Sequence, residues 1–493
     1  MSALAFMKET AMNAKGAHAS RRSAGTWRGR ILPFVLAVLV CVLAVWSAPA
    51  GAASADPWQA GVATAVITPD QPMWMAGYAA RTKPAEGKVH DLHAKALVLQ
   101  DAQGHRLAIV TVDLLGIDRT MRDWIAGQVE QRYRLAPKDL LINASHTHSG
   151  PVIRESAYSI YGHSFYDLTP EQLVQSDAYS DQLQETIATL VGQAIEKLAP
   201  ARLSYTHARA GFAMNRRQNP GQGWRISPNP DGPVDHDVPV LRVDDAEGKA
   251  RAIVFGYACH ATTLSFYDYC GDYPGFAQEY VEQRFPGATA LFLAGCGGDQ
   301  NPYPRTPDRA LDLCREHGHA LANAVEAALQ GVPKPVRGPL RTALEDVTLD
   351  FAEPPGKETL EQQAKSDNKY EKLHAEFLLA QLQHEGKIPA TYTYPVQVIR
   401  FGDDLLMVAL AGEVVVDYSL RLKRELTDTP LWVAGYSNDV FGYVPSARIV
   451  HEGGYEGGGA MLYTPLPGPF QPSVEEVVVA KVHELVYRVK TQP

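Results

Sequence analysis

A chain of 493 residues has room for two or three average domains or for one large mixed domain. Hydrophobic residues at 45% and charged residues at 20% are the proportions of a globular protein with a sizeable core, which excludes a disordered or fibrous chain. A net charge of -9 with no long basic run excludes nucleic acid as an expected partner, but leaves peripheral contact with a membrane open, since apolar contact needs no charge.

Residues 1–55 stand apart from the rest. Arg21, Arg22, Arg28 and Arg30 are positive, Ile31 to Trp46 is an uncharged apolar run, and small residues follow from Ser47 to Ala55. That order is the pattern of a secretory signal peptide, so the mature chain is expected to be exported, periplasmic or secreted, with cleavage after Ala55, Ala50 or Ala52. At 16 residues the run falls short of the ~20 that a spanning helix needs, which makes an uncleaved membrane anchor the second choice. Beyond the leader lie Cys259, Cys270, Cys296 and Cys314, with no C-x-x-C pair, so a structural zinc knuckle is not expected. Cys259 and Cys296 sit in apolar runs, where a buried free thiol is the simpler reading. Three pairings among the four cysteines stay open.

From Trp58 onward short apolar runs alternate with helical spacing. Residues 94–100 and 107–113 read as strands joined by the turn Asp101-Ala102-Gln103-Gly104, 119–133 as a helix, and 140–145 as a strand. Thr169-Pro170 opens a long helix to about Leu198. Residues 252–257 and 288–294 read as buried strands with a helix at 276–284 between them, and 311–329 as a further helix. The stretch 331–390 breaks the pattern with Pro333, Pro335, Pro339 and Pro354-Pro355, and carries a charged helical run from Thr359 to Glu385. It is expected to be an excursion that rejoins the core at Thr391. Strands at 396–401 and 405–410, a helix after Gly412, a strand at 431–435, a Gly-rich stretch at 453–459 and a helix over 473–489 follow. The alternation predicts an α/β fold, a mixed β-sheet core covered by helices, in a single domain over 56–493.

Polar residues close three apolar strands where a core would not place them. His146 and His148 follow the strand 140–145 in Asn143-Ala144-Ser145-His146-Thr147-His148-Ser149-Gly150-Pro151. His260 ends the run from Ala252 to Cys259, and Glu413 ends the run from Met407 to Gly412. Such groups are poor core residues unless paired or bound to metal. Two neutral imidazoles and a carboxylate are a frequent ligand set for a catalytic zinc, so a zinc at strand ends is expected, one per chain. On an extended segment His146 and His148 share a face. The Gly150-Pro151 turn makes a break after His146 plausible, which would send the rings apart and give one ligand and one neighbour with another task. For the H-x-H element alone, a pair of hydrogen-bonded loop histidines is the plain alternative.

Several elements together resemble one family. Ala76-Gly77-Tyr78-Ala79, Ser145 to Pro151, Met214-Asn215-Arg216, Cys259-His260-Ala261-Thr262-Thr263, Ala411-Gly412-Glu413, Gly442-Tyr443 and Tyr455-Glu456-Gly457 are similar, in order and spacing, to the neutral (non-lysosomal) ceramidases, over essentially the whole mature chain. The resemblance implies a zinc held by His146, His260, Glu413 and Tyr443. It also implies His148, Arg216 and Tyr455 around the scissile amide of a lipid substrate. Tyr443 rests on the resemblance alone. Taken without it, Arg216 reads as a structural ion pair and Tyr455 as a packing ring.

Two departures stand out. Many family members carry a serine before the proline of a Gly-Asp/Asn-x-Ser-Pro element, suggested as a nucleophile, whereas Gly297-Gly298-Asp299-Gln300-Asn301-Pro302 puts Asn301 there. An amide cannot serve as nucleophile, so water on zinc is the expected attacker. The family's C-terminal β-sandwich has no counterpart expected in these residues. The expected activity is cleavage of ceramide or a related N-acyl lipid to a fatty acid and an amine. The alternatives are an amidase of the same fold on a non-sphingoid amide, or a non-catalytic lipid- or metal-binding relative. A phosphoesterase would want more carboxylates around a two-metal site than the one found here.

Overall fold

The computed structural model describes residues 58–154 and 164–491, and the expected leader lies outside them. The first half contains β1 (Trp58–Val66), β2 (His93–Gln100), β3 (Arg106–Val112), α1 (Arg119–Tyr133), β4 (Leu140–Ala144), α2 (Pro170–Glu196), β5 (Ala199–Arg209), β6 (Ala213–Gln218), β7 (Arg225–Asn229) and β8 (Asp237–Asp244). There follow β9 (Ala250–Tyr257), α3 (Asp272–Arg284), β10 (Thr289–Ala294), β11 (Gln300–Pro302), α4 (Ala310–Gln330), β12 (Lys334–Val336), β13 (Leu340–Asp350), α5 (Lys357–Gln363) and α6 (Lys369–Glu385). The last part holds β14 (Thr391–Phe401), β15 (Leu405–Leu410), β16 (Glu413–Val414), α7 (Val416–Glu425), β17 (Leu431–Ala434), β18 (Tyr443–Val444), α8 (Ala447–Glu452) and α9 (Val474–Thr491). The helix starts carry local signals. Asp118 accepts from Met121 N–H at the head of α1, and Thr169 and Gln172 form a capping box at the head of α2, with Pro170 in its first turn.

The fold is mixed α/β, as the alternation predicts, but its core is two sheets rather than one. The larger runs in the order β10-β9-β8-β5-β1-β2-β3-β4, with β12 added on β5. The pairs β9–β10 and β3–β4 are parallel and the others antiparallel. The smaller is β13-β14-β15-β17. Side chains alternate between two destinations. Ala94, Ala96 and Val98 of β2 pack with Met121, Ile125 and Val129 of α1 and Leu183 and Ile187 of α2, whereas Leu97 and Leu99 point the other way. There they join Ile399 and Phe401 of β14, Met407 of β15 and Trp432 of β17 in the layer between the sheets. On the far side of the smaller sheet, Val396, Val398, Val408 and Leu410 pack on Val478, Val482 and Leu485 of α9. The result is four layers, helices outside and two sheets within. Burying a Leu or Val contributes about 1.5–3 kcal/mol, against a total span of ~1 kcal/mol for strand propensity, so the alternation of faces sets the register.

The stretch 331–390 is less of an excursion than its prolines suggest. Lys334–Val336 pairs with β5, and β13 pairs with β14 along its whole length, from Leu340↔Phe401 to Asp350↔Thr391. Only the connection bearing α5 and α6 leaves the sheet. The four cysteines are buried free thiols. Among the described residues no helix is long and apolar enough to cross a membrane.

Candidate metal centre

Strand ends from both sheets meet at one place. Asn143, the penultimate residue of β4, donates through Nδ2 to Gly435 O at 2.7 Å and accepts at Oδ1 from Ala294 N–H at 2.8 Å. This ties the ends of β4, β10 and β17 together. His146 follows β4, His260 follows β9, Glu413 opens β16 directly after β15, and Tyr443 opens β18. Glu413 and Tyr443 are direct partners in the parallel β16–β18 pair. The chain breaks at His146, whose φ is 58°. The break does not send the two histidines apart: the Nε2 atoms of His146 and His148 lie 3.2 Å from each other.

The polar atoms converge closely. Glu413 Oε2 is 3.2 Å from His146 Nε2 and 3.0 Å from His260 Nε2, and the Tyr443 hydroxyl is 3.2 Å from His260 Nε2. The Nδ1 atoms of His146 and His260 sit 2.6 Å from Leu115 O and 2.7 Å from Gly297 O. A carbonyl only accepts, so each Nδ1 carries the proton and each Nε2 of the neutral ring presents a bare lone pair. Lone pairs and a carboxylate facing one another at this range repel unless a cation lies among them. Zn–N bonds of about 2.0–2.1 Å in a tetrahedral shell put donors about 3.3 Å apart, close to the spacings here. The donor set therefore fits a divalent cation, and His146, His148 and His260 by themselves form a group able to hold one.

Burial, reinforced by His146 and His260, holds the His148 imidazole well below its ordinary range, and burial with Arg216 nearby takes His260 down to about 4. Both rings are neutral at pH 7, as ligands or proton acceptors must be. Burial alone would raise the Glu413 carboxyl; it falls well below the usual carboxylate range only with positive charge on the facing Nε2 side of His146 and His260, charge that a bound cation would supply in their place.

Packing explains why these rings stay put. A Cβ on Gly77 would stand 2.5 Å from His148 Nδ1, and Gly77 has φ +97°, so only glycine suits this place. The next residue, Tyr78, lays its ring 4.7 Å from that of His148. Arg216 is buried and donates from Nη2 to the Tyr443 hydroxyl at 2.8 Å, from Nε to Glu456 Oε1 at 2.8 Å, and from Nη1 to Asn301 Oδ1 at 3.1 Å. The structural ion pair is thus present, and it aims Arg216 into the site as well. Tyr455 stands with its ring 5.4 Å from that of Tyr443, beneath the Arg216 guanidinium. All seven residues singled out from the sequence share this region.

Sequence reasoning missed Glu456 and Tyr436. Glu456 lies beside Tyr455 and binds both Arg216 and Arg217. It stood within the Tyr455-Glu456-Gly457 element of the resemblance, but no role was assigned to it. Tyr436, with φ 48°, places its ring 4.5 Å from that of His146 and carries no signal of its own.

A family model for the N-terminal region of neutral/alkaline non-lysosomal ceramidases matches residues 58–328. The chain belongs to this family. The matched span holds His146, His148, Arg216 and His260, while Glu413, Tyr443 and Tyr455 lie beyond it. Neutral ceramidases A and B of Dictyostelium discoideum are 24% and 25% identical to it over 254 and 257 residues, each match covering 47% of this chain. Each match covers 34% of the relative, so the chain spans about a third of the length of these curated ceramidases. A crystal structure of neutral ceramidase from Pseudomonas aeruginosa superposes with a TM-score of 0.67 at 22% identity, over 87% of this chain and 75% of that one. A ceramidase complexed with C2 gives 0.67 at 20% identity, over 87% and 76%. At such identities the likeness concerns the fold alone.

Proposed function

We propose that this protein is a zinc-dependent amidase that hydrolyses the N-acyl bond of ceramide or a related N-acyl lipid, releasing a fatty acid and an amine. The observation that carries the reading is the convergence of two bare imidazole nitrogens and one carboxylate oxygen, 3.0–3.2 Å apart, at strand ends in a ceramidase-family fold. His146, His260, Glu413 and Tyr443 hold the ion. When bound, zinc supplies Lewis acidity and an activated water at neutral pH. His148, neutral and lodged between Gly77 and Tyr78, takes up the proton and delivers it to the leaving amine. Arg216 and Tyr455 donate hydrogen bonds to the oxygen that gains charge as the carbonyl becomes tetrahedral. Asn301 stands where a serine nucleophile has been suggested and cannot act as one, which favours attack by water.

Incubating the mature protein with a panel of N-acyl lipids, with and without chelator, tests the reading. Turnover of a ceramide that chelator abolishes and about one equivalent of zinc restores is the expected result. Elemental analysis showing less than roughly a tenth of an equivalent, with no recovery on adding zinc, sinks the metal site. Asn301 also favours a second reading, the same chemistry on a non-sphingoid amide, and the same panel separates the two. Export is part of the proposal. Protein recovered outside the cytoplasm should begin at Asp56, Gly51 or Ala53, whereas an intact chain beginning before Ile31 in the membrane fraction would favour the anchor.

A further inference from the structure

We propose that Asn301 is a positioning residue, whose carboxamide oxygen fixes the Arg216 guanidinium so that its remaining N–H groups are presented to the substrate. The inference rests on the reading of Arg216 as a donor to the developing oxyanion. A guanidinium carries five N–H groups and no acceptor. In this structure one goes to Glu456, one to the Tyr443 hydroxyl and one to Asn301. The three acceptors come from three stretches of chain: the glycine-rich turn after α8, β18 and β11. Two N–H groups are left, one on each terminal nitrogen. Glu456 and Tyr443 hold the Nε and Nη2 sides, and among the described residues Asn301 alone holds Nη1.

The carboxamide can face Arg216 in only one way. Its NH2 would oppose a donor with a donor, so the atom 3.1 Å from Nη1 is the oxygen. Thr262, two residues after His260, donates from Oγ1 to the same oxygen at 3.3 Å and resists a flip. The backbone sets the distance. Asn301 pairs with Met214 across β11 and β6, and Arg216 N–H donates to Asp299 O at 2.8 Å, so the two side chains rise from neighbouring strands. Asn301 is 1% exposed, so no water takes its place at no cost. A serine there ends one bond short of the position of Oδ1. The family position that elsewhere carries a hydroxyl is thus committed here to a fixed acceptor. Misplacing a reacting or donating group by about 1 Å costs on the order of 10²-fold in rate.

The test uses the zinc-loaded full chain with Asn301→Ala, Asn301→Ser and Asn301→Asp, compared by crystal structure, zinc content and steady-state kinetics on the best amide of the panel. In Asn301→Ala and Asn301→Ser the guanidinium should leave its place. The turnover number kcat should fall about 10- to 100-fold, with KM within about threefold and zinc retained. Asn301→Asp keeps an oxygen in reach, so it should hold the guanidinium and recover at least tenfold over Asn301→Ala. A guanidinium unmoved in Asn301→Ala overturns the proposal whatever the activity, as does an Asn301→Ser variant that exceeds the natural protein. A displaced guanidinium with unchanged kcat overturns the catalytic consequence and the part given to Arg216. If the natural protein turns over no amide at all, the functional reading fails, and the crystallographic comparison alone decides whether Asn301 places Arg216.

Discussion

His146 holds a left-handed backbone that costs an ordinary residue about 1–2 kcal/mol. The Nδ1 bond to Leu115 O and the packing of Tyr436 on the ring offset that cost. His148 is held differently. Among the described residues its buried Nδ1 has no hydrogen-bond partner, a deficit of about 1–3 kcal/mol that packing against Gly77 and Tyr78 must carry. A ring anchored through Nδ1 makes a fixed ligand, whereas one with no such anchor suits a group that exchanges protons. His148→Ala should therefore lose roughly 10²–10⁴ in kcat and keep its zinc, while His146→Ala should lose both. Metal analysis, circular dichroism and initial rates on the same preparations decide it. Zinc lost from His148→Ala but kept in His146→Ala reverses the assignment, and full activity in both places the site elsewhere. His146, His260 and Glu413 were legible in the sequence because a polar side chain closing an apolar run is a local contradiction. Tyr443, Arg216 and Tyr455 were legible only through the family resemblance, since none of them closes an apolar run and a phenol or a guanidinium elsewhere contradicts nothing.

Helix α7 begins without a side-chain cap of its own, because Val415 occupies its N-cap position. The missing acceptor comes from another element: Asp299, just before β11, accepts Val416 N–H at Oδ1 at 2.8 Å and Asn215 Nδ2 at Oδ2 at 3.0 Å. Burial pushes this carboxyl up to about 7, against about 3.9 in an unfolded chain. The folded protein thus keeps the proton that the unfolded chain releases. The stability contributed is greatest below about pH 4 and is lost as pH rises from there through about 7. Asp299→Asn keeps an acceptor for Val416 and removes the titration. Urea midpoints measured with chelator between pH 4 and 8 should fall less steeply for this variant than for the natural protein, and parallel slopes would show that Asp299 is not the titrating group. Elements such as β2, β4 and β15 were legible because both their faces are buried and they read as largely apolar runs, interrupted only by Lys95 within β2 and Asn143 within β4. β5 and β13 were not: exposed and half-exposed residues interleave along them, and Pro339 stands directly before β13.

At the scale of the molecule, the residues that build the site are divided between the two sheets, and no local pattern reports that. Histidines 146 and 260 end strands of the larger sheet, whereas Glu413 and Tyr443 are reached from the smaller one. The family match stops at residue 328, before the smaller sheet begins. A fragment of residues 56–330 would keep the matched region but uncover the inner face of the larger sheet, including Trp58, Leu97, Leu99, Ile109, Leu241 and Leu291. At about 2 kcal/mol for each large apolar side chain, those six alone lose about 12 kcal/mol, as much as the whole stability of about 5–15 kcal/mol that a folded domain has to lose. The fragment would also lack the Glu413 carboxylate and the Tyr443 oxygen. It is expected to aggregate or to lack fixed tertiary structure, and to bind zinc far more weakly than the full chain. Size-exclusion chromatography, near-ultraviolet circular dichroism and zinc titration of the two proteins side by side test this. A monomeric fragment that melts cooperatively and binds zinc as tightly as the full chain would mean that the larger sheet folds and holds its metal unaided, and that Glu413 and Tyr443 are not ligands.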